Sequence, residues 1–359
     1  MIINLKVEKM NFESLLERFH WLQYEDYIKK ENIQITHDID SFVEAREKFR
    51  NKVLSIPNIS EKLFQIEDKK LKNAFNSLRK GEVCGIDGTL ALYPTPIGYR
   101  CRIGVVAVNY KGERVNEAVY ISDVNLVDEE LEKVEDFLEN VEKLTRITPL
   151  LYRSIMFHRE RELALERQEK WKLAHGPLIP LEMRLGRLGV SGALEANLEL
   201  SKKIVEHGHV IGVLSSTNRL RVLNLGYALN PGEYMKIASL GSVMESEIRR
   251  APSEERELIL DFIREYGEKL VMGIYKASHK AYVFEAREDV FHEAAHILYA
   301  DSLNNPVKGF PLLIDYADTL CSSLLSPEDF KKRIECEILK REKEKAFQSI
   351  DERRMRWRR

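Results

Sequence analysis

The segment that most constrains the fold is GEVCGIDGTLALYP, which begins at Gly81, followed by IGYRCRIGVVAVNY and then RVNEAVYISDV. These three β-prone runs are separated by turn residues, with Lys111-Gly112-Glu113 before the last. Such spacing predicts an antiparallel meander. Asp87 lies inside the first run, between apolar residues and Gly88. A carboxylate buried alone is costly, so a cation or hydrogen-bond donors must neutralise it. Asp-Gly also favours turns, and Asp87 reads equally well as a turn cap.

Around the meander the pattern is mixed. Phe12, Leu15, Leu16, Phe19 and Leu22 recur at helical steps, as do Phe64, Ile66, Leu71, Phe75 and Leu78 more loosely, so residues 1–80 read as helical. Residues 128–174 read as helical with a break near Thr148-Pro149. The helix GALEANLELSKKIVEHG leads to a buried strand, EHGHVIGVLSS. A helix over about 252–270, strands KLVMGIYKAS and KAYVFEAR, a helix near 289–303, a Pro/Gly break at 306–311 and two final helices complete the chain. Three strands, then helices, more strands and a helical end make α/β or α+β the best class, and 81–320 is long enough for one mixed sheet flanked by helices. There is no internal repeat.

At 359 residues the chain suffices for one large domain or two smaller ones. Hydrophobic residues at 44% supply a core and exclude wholesale disorder. The net charge of −2 excludes a globally basic nucleic-acid coat and leaves local basic surfaces open. No run approaches the ~20 apolar residues of a membrane span. The N-terminus turns acidic and amphipathic at once, unlike a signal peptide. The four cysteines have no CxxC spacing, so a reducing cytoplasm is the expected setting.

Three further motifs bear on chemistry. In FHRERELALERQEKW, Glu162 and Glu166 share a helical face and repel unless a cation intervenes; Arg159 offers an ordinary ion pair, and a solvated face is the simpler reading. VFHEAAHILYA contains His292-Glu293-Ala294-Ala295-His296, the spacing of a zinc-peptidase helix. It lacks a downstream third ligand, and a half-buried amphipathic helix with two histidines is the simpler reading. In GFPLLIDYADTLCSS, Pro311 suits the first turn of a helix carrying Asp315 and Asp318. There is no GxxxxGK[ST], GxGxxG or GxSxG, which excludes P-loop, dinucleotide-fold and nucleophile-elbow chemistries.

Taken in order, five short segments resemble the NurA nuclease family: CGIDGT (84–89), RERELALE (159–166), AHGPLIP (174–180), VIGVLSS (210–216) and GFPLLIDYAD (309–318). The resemblance implies a ribonuclease H-like mixed sheet over 81–320. It also implies a helical N-terminal region (1–80) as candidate ATPase contact and a helical C-terminal extension (321–359) with a basic tail. The implied activity is divalent-metal DNA hydrolysis with Mn²⁺ or Mg²⁺, by a homodimer partnered with a hexameric HerA-type ATPase in DNA end processing or anti-phage defence. Hard oxygen ligands suit those ions. By the same resemblance Asp87, Glu162, His175 and Asp318 are the metal and catalytic set.

This chain departs from the family pattern in four places. His175 stands where the family has aspartate, Asp318 where it has histidine, Phe310 for tyrosine and Ser215 for lysine. The reciprocal swap of His175 and Asp318 suggests a ligand exchange around one metal; the alternatives are a decayed site serving as scaffold for the ATPase, or a zinc peptidase on His292, Glu293 and His296. Arg184, Arg187, Arg219 and Arg221 are candidate phosphate contacts. The tail RRMRWRR offers cations and one stacking ring, or is simply a frayed terminus.

Overall fold

The chain is described by a computed structural model over residues 22–95, 98–122, 134–180, 190, 192–216, 220–248 and 253–343. In chain order it runs α1 (Tyr24–Leu54), β1 (Leu63–Gln65), α2 (Asp68–Arg79), β2 (Val83–Thr95), β3 (Gly98–Asn109), β4 (Arg114–Ile121), α3 (Val134–Glu166) and β5 (Trp171–His175). It continues through α4 (Ala193–His207), β6 (Val210–Leu214), α5 (Leu220–Ala228), β7 (Glu233–Ser239), α6 (Leu240–Ile248), α7 (Ser253–Tyr266), β8 (Leu270–Lys276), β9 (Ala281–Arg287), α8 (Phe291–Leu303), α9 (Leu312–Leu324) and α10 (Pro327–Lys340).

The strands form one sheet in the order β1-β7-β8-β9-β6-β5-β2-β3-β4. The expected meander is present: β2, β3 and β4 pair antiparallel in sequence. β5 and β6 then add parallel to β2, and β9, β8, β7 and β1 extend the sheet antiparallel. A meander followed by parallel strands on its first member, with helices on both faces, is the ribonuclease H-like mixed sheet expected from the sequence.

Side chains alternate between two layers, as the strand period demands. On one face Val83, Leu173, Ile211, Val213 and Phe284 pack with Leu78 of α2, with Phe291 and Leu298 of α8, and with Leu313 and Ile314 of α9. On the other, Cys84, Ile86, Ala174 and Val210 meet Leu163 of α3, Leu198 and Ile204 of α4, Met244 of α6 and Phe262 of α7. Burial of these apolar side chains, at roughly 25 cal/mol per Å², is what holds the layers together.

Three expectations need correction. The helix over 128–174 ends at Glu166, and Trp171–His175 is a strand whose amides reach the carbonyls of Glu82 and His209. WKLAH is too short and too poor in β-branched residues to announce itself. Pro149 does not break α3, because Leu151, Tyr152 and Met156 are buried along the sheet and hold the helix through it. The region before residue 80 is not purely helical: β1 joins the sheet edge beside β7, and α2 is buried against α8. α1 is tied to the edge through Arg50, whose guanidinium grips Glu233 at 2.7 Å on both oxygens. Among the described residues no helix is long and apolar enough to cross a membrane.

Candidate active site at the carboxyl edge of the parallel strands

The registers bring Ile86, Ala174 and Gly212 side by side on β2, β5 and β6. The next residues along are therefore Asp87, His175 and Val213. With a period of two, Asp87 follows Val83 and His175 follows Leu173, so both project toward the layer holding α8 and α9; Ser215 is the residue just past the end of β6. The side chains form one hydrogen-bonded row. His175 Nδ1 lies 2.9 Å from Asp87 Oδ1, and His175 Nε2 lies 2.9 Å from Ser215 Oγ. The Asp87 side chain is 6% exposed and that of His175 29%, while Ser215 is open to solvent. The imidazole rests edge-on against Phe310, centroids 5.8 Å apart.

α9 delivers the fourth group. Its backbone crosses β2 so closely that a Cβ on Gly85 would sit 2.4 Å from Leu313 C and O; only glycine admits the helix there. Ile314, Ala317 and Cys321 are buried, and the Cys321 thiol donates to the Asp87 carbonyl at 3.3 Å. Asp318, on the same helix, lies near enough for the Asp87 charge to act on its carboxyl. Partial desolvation, then the Asp87 charge, hold the Asp318 carboxyl above its ordinary range. Burial pulls the His175 imidazolium down, but its hydrogen bond to Asp87 and the charges of Asp87, Glu160 and Asp318 outweigh it and leave the ring more basic than usual.

Behind the row, on the opposite layer, lies Glu160. It is 1% exposed, and a Cβ on Gly88 would meet its Oε1 at 2.4 Å, so Gly88 makes room for it. Burial pushes this carboxyl up, while the Arg161 guanidinium at 2.9 Å pulls it down and the Asp87 charge adds to the rise. Arg161, fully buried, also donates to the carbonyls of His175, Pro177 and Leu178 and fixes the turn that ends β5.

Of the four residues expected at the site, the structure brings together Asp87, His175 and Asp318. It does not bring Glu162. That carboxylate is 43% exposed and pairs with Arg159 at 3.3 Å. It lines a cleft of about 550 Å³ with Glu117, His158 and Arg159, whose walls include none of the other three. The helix turns Glu160 inward instead, two residues earlier. Sequence reasoning missed it because both glutamates sit in one charged run; the signal was its place beside Arg161, with Leu163 and Ala164 continuing the buried face.

The zinc-peptidase motif does not open a site. His296 Nδ1 is 2.6 Å from the His292 carbonyl, and its Nε2 accepts from the Glu67 amide at 3.0 Å. His292 Nδ1 faces the Tyr234 hydroxyl at 2.9 Å, and Glu293 points to solvent. Arg184, Arg187 and Arg219 lie outside the described residues, as does the basic tail; Arg221 is on α5, but its side chain is not described.

Among the described residues no group of three or more His, Cys, Asp and Glu side chains is arranged to hold a metal ion as placed. A hard ion that keeps its waters and takes substrate phosphate oxygens needs only one or two carboxylates, however. Asp87 and Asp318, two carboxyls close enough for the charge of one to act on the other, are such a donor set, and by that chemistry a divalent ion fits.

No family model matches the sequence, and no curated protein does. Among solved structures, the NurA nuclease from Sulfolobus solfataricus aligns with a TM-score of 0.50 at 14% identity, covering 89% of this chain and 98% of that one. A NurA bound to dAMP and manganese aligns at 0.45 and 10% identity, over 83% and 93%. An endonuclease V from Bacillus subtilis aligns at 0.34 and 12%, over 82% and 93%. The first of these likenesses spans nearly the whole of both chains, and this chain has a NurA-like fold.

Proposed function

We propose that the protein is a divalent-metal-dependent nuclease that hydrolyses DNA phosphodiesters at the Asp87–Asp318 pair. The observation that carries this reading is the meeting of two carboxylates, from β2 and α9, at the carboxyl edge of the parallel strands. Two carboxylates held near one another repel unless a proton or a cation intervenes, and Asp318 is exposed to solvent. When bound there, Mn²⁺ or Mg²⁺ supplies Lewis-acid charge to the phosphodiester and makes water a better nucleophile. The chain's own residues then have separate tasks. Asp87 and Asp318 bind the ion, Cys321 and Gly85 fix the approach of α9, and His175 holds Asp87 in one orientation. Arg161 locks the β5 turn from behind.

Cleavage of labelled DNA by the full chain, in Mn²⁺, in Mg²⁺ and in EDTA, tests the reading. Activity with an ion, its loss in EDTA, and its loss in both Asp87→Ala and Asp318→Ala are expected. A wild-type protein that leaves DNA intact with either ion contradicts it and favours the scaffold reading.

The partner carried over from the resemblance, a HerA-type ATPase, is placed on α1. Ile28, Ile35, Phe42 and Phe49 repeat at seven-residue steps there, and they are 38%, 50%, 65% and 37% exposed. Co-purification of the ATPase with wild type but not with a Phe42→Glu variant is the expected result; equal recovery removes α1 as the contact.

A further inference from the structure

The edge that carries Asp87 and His175 extends beyond β6. β9 runs antiparallel to β6 with Val283 opposite Leu214, so the turn between β8 and β9, residues 277–280, emerges at the same edge. The loop leading into α9 lies on this turn: a Cβ on Gly309 would meet Ser278 Oγ at 2.8 Å. Contacts run unbroken from the site to that loop. The His175 ring meets Phe310 at 5.8 Å between centroids, Phe310 meets Tyr282 at 5.0 Å, and the Tyr282 hydroxyl donates to the Lys308 carbonyl at 2.8 Å. The Lys308 ammonium in turn pairs with Asp315, which the Asn305 amide also holds at 3.2 Å. Asp315 is one helical turn before Asp318, near enough for its charge to act on that carboxyl. Lys308 is thus fixed at both ends, its backbone by Tyr282 and its ammonium by Asp315, and its side chain is still 57% exposed. Lys280, exposed on the adjoining turn, has no ion pair among the described residues.

A phosphodiester strand arriving here meets Asp87, Asp315 and Asp318, three acids of its own sign. An ion held by Asp87 and Asp318 offsets the charge of the phosphate it touches, but the phosphates on either side need cations of their own. Arg161 cannot serve them. It is fully buried behind the row and engaged by Glu160 and three carbonyls. We propose that Lys308, with Lys280 on the adjoining turn, is a phosphate-binding ledge that guides a DNA strand across the Asp87–Asp318 pair. That the ligand is DNA rests on the nuclease reading above; the ledge itself rests on the placement of the two lysines. An ammonium has three N–H donors, and one given to Asp315 leaves two for phosphate oxygens. A lysine stem is flexible, so the hold of Asp315 on its end sets where the charge lies. Such contacts fix the register of the strand and do not read its bases.

Binding of a labelled DNA duplex by the full chain in EDTA tests the ledge, with Kd followed over a series of salt concentrations. Wild type is expected to bind at low salt. Lys308→Gln and Lys280→Gln should each weaken binding and flatten the slope of log Kd against log salt by about 0.9, the counterion release of one phosphate contact. Lys308→Arg should keep the wild-type slope. Asp315→Asn breaks the same ion pair but leaves the ammonium in place, so its affinity should equal or exceed that of wild type. A merely structural pair would make Lys308→Gln and Asp315→Asn act alike. The pair is exposed and contributes little to the fold, so both variants stay folded. No wild-type binding at low salt, a wild-type slope in either glutamine variant of the lysines, or equal losses in Lys308→Gln and Asp315→Asn overturns the ledge. The nuclease reading fails on a different result, intact DNA in Mn²⁺ and Mg²⁺. A chain that binds with the expected slopes but does not cut keeps the ledge, and one that cuts with the slope unaltered in Lys308→Gln loses only the ledge.

Discussion

Two regions of this molecule present histidine beside acid, and they end in opposite states. At the carboxyl edge of β2, β5 and β6, His175 gives both ring nitrogens to side chains, one a buried carboxylate and one an exposed hydroxyl. On α8, His296 gives both of its nitrogens to backbone groups, a carbonyl of its own helix and the amide of Glu67. The first arrangement holds the ring between a buried carboxylate and a hydroxyl at the solvent edge. The second satisfies an amide that would otherwise be orphaned in the packing of α2 on α8. The lesson is that spacing within a helix says which side chains share a face, whereas the partners that decide their chemistry come from other elements.

The comparison breaks most visibly in activity. Asp87→Ala should lower DNA cleavage on the order of 1,000-fold, the upper scale for losing one electrostatic group at a reacting centre. Glu293→Ala, on α8, should leave it unchanged. Rates on a labelled duplex with Mn²⁺ check both, and equal losses would erase the distinction between the regions.

Glu160 and Glu162 of α3 sharpen it in stability. Glu160→Ala strands the fully buried Arg161 and should cost about 3–5 kcal/mol. Glu162→Ala removes one exposed partner of Arg159, which keeps Glu117 and Glu166, and should cost under about 1 kcal/mol. Urea unfolding of the two variants reads the difference, and similar midpoints would contradict the inward placement of Glu160.

Asp301 links α8 to the helix that carries Asp318. It accepts from the Leu313 amide at 3.0 Å and from the Tyr110 hydroxyl at 2.5 Å. Burial pushes its carboxyl up to about 6, against roughly 3.9 for an unfolded aspartate. An acid whose pKa rises on folding binds its proton in the native state, so its contribution is full below about pH 4 and is lost as pH climbs through 6. The stability of wild type relative to Asp301→Asn should fall by about 3 kcal/mol between those limits. Denaturant titrations at several pH values check the sign, and a difference that grows with pH would contradict it.

The last effect concerns His296. His296→Ala leaves the Glu67 amide without its acceptor and should cost about 1–3 kcal/mol, with no change in cleavage rate. Stoichiometric zinc in the purified wild type, lost in this variant, would restore the peptidase reading.

The meander and the place of Asp87 were legible because turn residues and β-prone runs are local signals. β5 was not, since five residues without β-branching carry no period, and its pairing is decided by the carbonyls of Glu82 and His209 far along the chain. β1, three residues long, and β7, with Ile237 as its one β-branched residue, escaped as well. Asp318 and His175 were reached through a resemblance; the sheet register sets His175 beside Asp87, and the close crossing of α9 over Gly85 brings Asp318 to them. Glu162 failed because a run of alternating charge does not say which glutamate turns inward; Met156, Gly88 and Arg161 decide that together. Ser215 registered only as a missing lysine. Its contact with His175 depends on β6 ending beside β5 one residue before it, which no local pattern shows.

The central claim is that Asp87 on β2 and Asp318 on α9, more than two hundred positions apart in sequence, act at one site. A double-mutant cycle read as DNA cleavage in Mn²⁺ tests it most directly. Asp318→Ala should cost little further once Asp87→Ala is in place, because the pair has already lost its function. Losses that multiply, as for independent sites, would contradict the account.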